Sequence, residues 1–246
     1  MITGSLVGHG VAISEDKALR VPYLIIRAAK SPAAIAEMRA GAVRWKAKEN
    51  EFWALVFQNK LHVQVAKRAE FTEEVLRSCA DALERGEGWV VVIRAWDGAI
   101  LGCSQYNVTG EKKGMINLQA ISPDNLVGSP GKAQLRGIGT ALLAAISQDF
   151  LARNWDEMWV KPFDEQAAVF WAKRGFGVCG AGGLLCVRGR DRIYALRGIC
   201  QTWPESPING EYIVCGDGEV VKDPSKLSTL IPIMTQGGQA VKSLPP

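Results

Sequence analysis

The chain has 246 residues, 48% of them hydrophobic and 22% charged, with a formal net charge of +4 at pH 7. That balance fits one large globular domain, or one domain with extensions, and the charge is spread without the basic block that would indicate nucleic-acid binding. No apolar run approaches the roughly 20 residues that span a bilayer, and Met1 to Arg20 lacks the basic start and apolar core of an export signal, so a cytoplasmic protein with no membrane contact is expected.

Residues 1–21 read as an irregular N-terminal extension. Its run from Gly4 to Gly10 is glycine-spaced, but no Gly-Lys-Ser/Thr follows and no strand precedes it, so a flexible segment is expected rather than a phosphate loop. Pro22 to Arg27 reads as a short strand. Ser31-Pro32 then starts a helical region, with serine as cap and proline in the first turn. Helical composition continues, with interruptions, to about Arg85 and is clearest over 72–85, where Thr72 reads as a cap before Glu73 and Glu74. Trp45, Phe52, Trp53 and Phe57 lie near helical spacing; core packing is the ordinary reading, and a wall for an acceptor or acyl chain is the alternative.

Three strands follow as a meander: Trp89 to Trp96, Ala99 to Val108 after the Asp97-Gly98 turn, and Met115 to Ile121. Residues 122–133 form a loop rich in Ser, Pro, Gly and Asn. After a helix from about Thr140 to Arg153 come a strand at Glu157 to Lys161 and a helix at Asp164 to Arg174. Phe176 to Cys186 and Arg192 to Arg197 read as two final strands, with Gly180 to Gly183 as a turn or bulge. Residues 198–246 are a C-terminal extension with a strand-like run at Glu211 to Val214, a hairpin turn at Gly216-Asp217-Gly218 and an apolar stretch from Ile231 to Met234. An arm packed on its own domain or on a second copy is expected, which would allow a homodimer. The order is that of an α+β protein with a mixed, mostly antiparallel sheet flanked by helices.

The six cysteines, Cys79, Cys103, Cys179, Cys186, Cys200 and Cys215, are widely spaced and form no C-x-x-C pair, and His9 and His62 are the only histidines. No metal site is indicated, and free thiols are expected.

Gln134-Leu135-Arg136-Gly137-Ile138-Gly139-Thr140 precedes a helical pattern in which Leu142, Leu143, Ile146 and Phe150 recur on one face. The first N–H groups of a helix have no internal partner, and the helix dipole favours negative charge there. Gly137 and Gly139 would remove the Cβ atoms that keep a phosphate off that backbone. The stretch reads as a seat for a pyrophosphate.

Together with the element order, two motifs resemble the GNAT N-acetyltransferase superfamily. Gln134-x-x-Gly137-x-Gly139 is similar to that family's Arg/Gln-x-x-Gly-x-Gly/Ala loop for coenzyme A. Asp164 to Phe176 is similar to its second motif, with a small residue near the helix start, an aromatic pair, a basic turn and a closing Gly-Phe. The likeness covers 89–197 well and 22–88 by element order, which implies a GNAT-like domain at 22–197. Acetyl-CoA or another acyl-CoA is the implied co-substrate. By the resemblance, backbone groups of Gln134, Leu135, Arg136, Gly137, Ile138, Gly139 and Thr140 hold the pyrophosphate, Arg136 adds charge, and Lys132 approaches from the loop. Ala120 and Ile121 pair with the pantetheine arm as an added strand would. Asp164 stands where many relatives carry an Asn that touches the donor.

Transfer of an acyl group from a thioester to an amine needs a deprotonated amine, a stabilised oxyanion and a protonated leaving thiolate. A lysine-type amine is only about a few parts in ten thousand neutral at pH 7. Where many relatives place a Glu base, this chain has Met115, and where they place a Tyr acid it has Trp171. Asn117 and Gln119 cannot act as bases but could hold a water. Tyr106 and Tyr194 are substitutes for the acid, and Glu111, Asp124 and Glu165 are the nearby carboxylates, each reading as a solvated turn or cap residue. The catalytic candidates are thus Tyr106, Asn117, Gln119 and Glu165. Two main functions follow. One is an acyl-CoA-dependent N-acyltransferase acting by positioning on an amine of a small molecule, peptide or protein lysine. The other is an inactive acyl-CoA-binding regulatory protein. An interaction protein built on the C-terminal arm is a third.

Overall fold

A computed structural model describes residues 2–14, 19–130, 134–179, 183–199, 212–215 and 220–221. In chain order the elements are β1 (Gly4–Ser14), β2 (Arg20–Ala28), α1 (Pro32–Phe57), α2 (Val63–Arg85), β3 (Trp89–Ala95), β4 (Ile100–Gly110) and β5 (Lys113–Ile121). A 3-10 turn at Pro123–Asn125 leads to β6 (Leu135–Arg136), α3 (Ile138–Ala152), β7 (Glu157–Val160), α4 (Glu165–Ala172), β8 (Gly177–Val178), β9 (Leu185–Arg188), α5 (Arg190–Ile199), β10 (Tyr212–Cys215) and β11 (Val220–Val221).

The strands form one sheet in the order β11-β10-β1-β2-β3-β4-β5-β7-β9-β8, with β6 attached to β1. Pairing from β1 through β5 is antiparallel, and β5–β7 and β1–β10 are the parallel pairs. The α+β class and the mixed, mostly antiparallel sheet are those expected. β3 shows why helices cover both faces. Val90, Val91, Val92 and Ile93 are all buried, and a strand sends alternate side chains to opposite sides. Val90 and Val92 pack with Met38, Trp45, Leu76 and Cys79 of α1 and α2. Val91 and Ile93 pack with the α3 face, Leu142 and Ile146 among it.

Ser31 caps α1 as expected, accepting from Ala34 N–H at 3.2 Å. Thr72 is not a cap. It lies inside α2, buried, with its hydroxyl donating to Ala69 O at 2.8 Å, while His62 Nδ1 accepts from Gln64 N–H at the true start. Trp45 and Phe52 are core residues, but Phe57 is 81% exposed at the end of α1.

Four local expectations fail for identifiable reasons. The segment read as an irregular extension holds β1, which pairs with β2 over nine residue pairs and buries Val11, Ala12 and Ile13. Its glycines dilute the alternating pattern that marks a strand. Arg192 to Arg197 is helical, within α5. Ile193 and Leu196, three apart, are the buried pair, which is helical spacing. Phe176 to Cys186 is a hairpin of two short strands rather than one strand. That hairpin brings Cys179 and Cys186 to a Cα–Cα distance of 5.7 Å, within disulfide range, and they form a disulfide where free thiols were expected. Cys79 and Cys103 are buried free thiols. β10 and β11 pair antiparallel, as a hairpin at 216–218 requires. The turn itself and Ile231 to Met234 lie outside the described residues.

Candidate functional site

β5 and β7 pair only from Lys113↔Glu157 to Ile116↔Val160. β5 continues to Ile121, held on its other side by β4 through Gly102↔Ile121, while β7 ends at Val160. The sheet therefore parts, and the edge of Asn117–Ile121 that faces away from β4 has no strand partner among the described residues. A cleft of about 400 Å³ opens at this parting. Its walls come from Gln119, Ala120 and Ile121 of β5, the turn from Leu135 to Thr140, α2 (Arg68, Phe71, Thr72), the end of the 3-10 turn and the residues after it (Asn125 to Val127) and residues 163–174 around α4.

The glycine turn is fixed before any ligand arrives. Leu135 N–H donates to Asn125 Oδ1 at 2.9 Å, Gln134 Nε2 donates to Ser129 O at 3.1 Å, and β6 pairs with the end of β1. Gly137 caps α3 with φ 85°, the left-handed region that residues with a Cβ resist. Its carbonyl accepts from Ala141 N–H at 2.9 Å. The N–H groups of Ile138, Gly139 and Thr140, in the first turn, have no partner within the helix. Gly139 meets a second need beside the expected one. A Cβ there would stand 3.2 Å from Phe170 Cε2, so the missing side chain makes room for the α4 ring at the cleft.

That ring carries a cation. Arg174 lies over Phe170 at 3.6 Å, donates to Phe170 O at 2.8 Å and to Thr140 Oγ1 at 2.6 Å, and so is held beside the first turn of α3. The sequence signal for it was the basic turn of the second motif, although no role was assigned to Arg174 itself. On the opposite wall Arg68 donates to Asp164 Oδ2 at 2.7 Å and bonds Gln166 Oε1, and Phe71 stacks on Phe163 at 3.7 Å. Arg68, Phe71 and Phe163 were not anticipated, because contacts between residues so far apart leave no local pattern.

Asp164 caps α4, accepting from Ala167 N–H at 2.8 Å. Burial alone would raise its carboxyl pKa, but the Ala167 hydrogen bond and the Arg68 guanidinium together hold it below the ordinary 3.8. The stabilisation it contributes is therefore complete above pH 3.8 and is lost as pH falls through the lower folded value. Asp164→Asn is expected to lower the Tm in the neutral region, where the charged carboxylate's contribution is complete, and to flatten the acid limb below about pH 4 so that the two curves converge at low pH. An acid limb identical to wild type would refute this.

The other candidates are scattered. Gln119 lines the cleft, with Nε2 donating to Gly139 O at 3.3 Å. Asn117 is exposed and donates to Gln105 Oε1 at 2.8 Å, outside the cleft lining. Glu165 is exposed in the first turn of α4 and is also not a lining residue. Tyr106 is fully buried in the core, where its hydroxyl bonds Asp149. Burial pushes that hydroxyl's pKa up, an effect the neighbouring Arg27 and Arg153 oppose. It is not part of the cleft lining, because its ring packs in the core beneath α3. Tyr194 is exposed on α5, Trp171 is buried at the cleft wall, and Lys132 lies outside the described residues.

No protein-family model and no curated protein matches the chain. Solved structures similar to it include a mutant AtaT toxin bound to the C-terminus of the antitoxin AtaR, at 17% identity over 51% of this chain and 81% of that one, with a TM-score of 0.41. A protein from Desulfovibrio desulfuricans assigned to the GNAT family is similar at 15% identity over 68% of this chain and 98% of that one, with a TM-score of 0.44. Tetrahymena GCN5 is similar at 14% identity over 50% and 79%, with a TM-score of 0.38. Of these three, the Desulfovibrio protein is the one described as a GNAT-family acetyltransferase.

Proposed function

We propose that the chain is an acyl-CoA-dependent N-acyltransferase that moves an acetyl or longer acyl group to an amine of a small molecule, peptide or protein. One observation carries this reading: the unpaired edge of β5 and the left-handed Gly137 turn of α3 border the same cleft. A helix N-terminus with free N–H groups suits a pyrophosphate, and an unpaired strand edge suits the two amides of a pantetheine arm. The distance between phosphates and thioester in coenzyme A would then be spanned along β5. The residues lining the cleft fit the donor's charge, with Arg68, Arg136 and Arg174 against Asp164.

Gln134, Leu135, Arg136, Gly137, Ile138, Gly139 and Thr140 would hold the diphosphate, and Ala120 and Ile121 the arm. Gln119 would face the arm from β5, and Asp164, already engaged by Arg68, would border it. Chemistry at this site rests on placement. The amine nitrogen attacks the thioester carbonyl, the C–S bond breaks, and the proton shed by nitrogen ends on the departing thiolate. Isothermal titration with acetyl-CoA, followed by thiol release over a panel of amines, tests the reading. Absence of binding to both CoA and acetyl-CoA would end it.

Arg174 gives a sharper test. Charge-assisted hydrogen bonds contribute about 1.5–3 kcal/mol, so Arg174→Gln is expected to weaken CoA binding about tenfold or more. The salt dependence of binding should fall too, while pantetheine, which lacks the phosphates, should bind as before. Titrations at two ionic strengths check this.

A second reading, an inactive acyl-CoA-binding protein, is favoured by Trp171 and Met115. They occupy the positions where the resembling family carries its proton donor and base, and indole cannot supply a proton at neutral pH. Donor binding without thiol release across the amine panel would select it.

A further inference from the structure

The cleft passes between the two faces of the sheet, and its two ends differ in chemistry. On the α3–α4 side stand the first turn of α3 and Arg174. On the α2 side stand Phe71, Leu126, Val127 and Phe163. Two of these are large apolar side chains left open at the mouth: Val127 is 54% exposed and Phe163 53%. Phe163 keeps one ring face on Phe71, stacked at 3.7 Å and 16°. Arg68 bonds both Asp164 and Gln166, which fixes the segment that carries Phe163 against α2. An apolar rim held this firmly beside a cleft is a surface for a ligand's apolar part.

Charge limits the occupant further. Asp164 is the sole carboxylate among the described lining residues, and it already caps α4 and accepts from Arg68. The other charged lining residues are arginines. An acceptor with several ammonium groups would meet like charge and no unpaired acid. We propose, on the basis of the acyltransferase reading, that the acceptor is a monoamine with a compact apolar or aromatic body, entering from the α2 side and resting on Phe71, Leu126, Val127 and Phe163. Its amine would then meet the thioester at the parting of β5 and β7, while the donor's phosphates occupy the opposite end. The transfer forms one C–N bond and breaks one C–S bond, with the nitrogen's proton finishing on the CoA thiol.

The test measures kcat/KM by thiol release for phenylalanine amide, glycine amide and spermidine with acetyl-CoA, on the full chain. Phenylalanine amide is expected to exceed glycine amide at least about tenfold, in line with burial of one aromatic side chain, and to exceed spermidine. Phe163→Ala and Val127→Asp, both at exposed positions, are expected to raise the KM for phenylalanine amide about tenfold with CoA affinity unchanged. Three results would overturn the proposal: spermidine or glycine amide equal to phenylalanine amide; no turnover of any of the three by a protein that binds CoA; or variants that alter the preference between acetyl-CoA and hexanoyl-CoA at constant acceptor KM, which would make the rim an acyl-chain wall. Failure of wild type to bind CoA at all is a separate result, and it removes the donor reading on which the proposal rests.

Discussion

Replacing Gly137 with valine is expected to weaken CoA binding at least about 100-fold, close to 2.8 kcal/mol. Gly137 holds φ 85° at the point where β6 hands the chain to α3. A β-branched residue in the left-handed region costs about 1–3 kcal/mol. The turn relieves that cost by rotating toward negative φ, which swings the N–H groups of Ile138 and Gly139 away from their common direction. Binding is lost because the helix N-terminus no longer presents those donors together. Asparagine tolerates the left-handed region better than other residues with a side chain, so Gly137→Asn should keep most of the affinity. That contrast separates a conformational requirement from a need for empty space. Calorimetric titration of CoA into both variants decides it, and wild-type affinity in the valine variant would show that the turn does not hold the donor.

Asp149→Ala is expected to lower the stability by about 3 kcal/mol, and the Tm by about 6–12 °C for a chain of this size. Asp149 lies on α3, 4% exposed, and accepts from Arg27 Nε of β2 at 2.9 Å, from Arg27 Nη2 and from the Tyr106 hydroxyl of β4. One carboxylate thus ties a helix to two strands across the core. Without it the Arg27 charge loses its acid and the Tyr106 hydroxyl its acceptor, and Tyr106 is too deeply buried for water to replace it. Arg27 keeps one-third of its side chain exposed, which moderates the loss. Tyr106→Phe removes one bond of the three and should cost about 1 kcal/mol. If Tyr106 had a role in proton transfer, Tyr106→Phe would abolish turnover; from its place in the core, turnover of the folded variant should be retained. A Tm unchanged in Asp149→Ala would refute the clamp.

The glycine turn was legible because its physics is local. A positive φ needs glycine, a helix start exposes N–H groups, and both lie within seven consecutive residues. The meander from β3 to β5 was legible for a similar reason, since alternating apolar residues and short turns report on near neighbours. β1 was not, because its glycines weaken the alternation and its partners β2, β6 and β10 supply the evidence instead. Thr72 looked like a cap because cap and interior threonines carry the same letters; only the upstream turn at His62 distinguishes them.

The sequence by itself determined the order of the main elements from β2 to α4, the apolar strands that demand cover on both faces, and the turn at Gly137, since each follows from spacing or from one residue's conformational range. Tertiary structure alone decided the cleft. β5 outruns β7 by five residues, a fact of register between distant segments, and that mismatch opens the sheet. It also decided the partners: Arg68 with Asp164, Arg27 with Asp149, and Phe71 with Phe163. Pairs of this kind are selected by packing in three dimensions, where sequence distance has no bearing on which side chains meet.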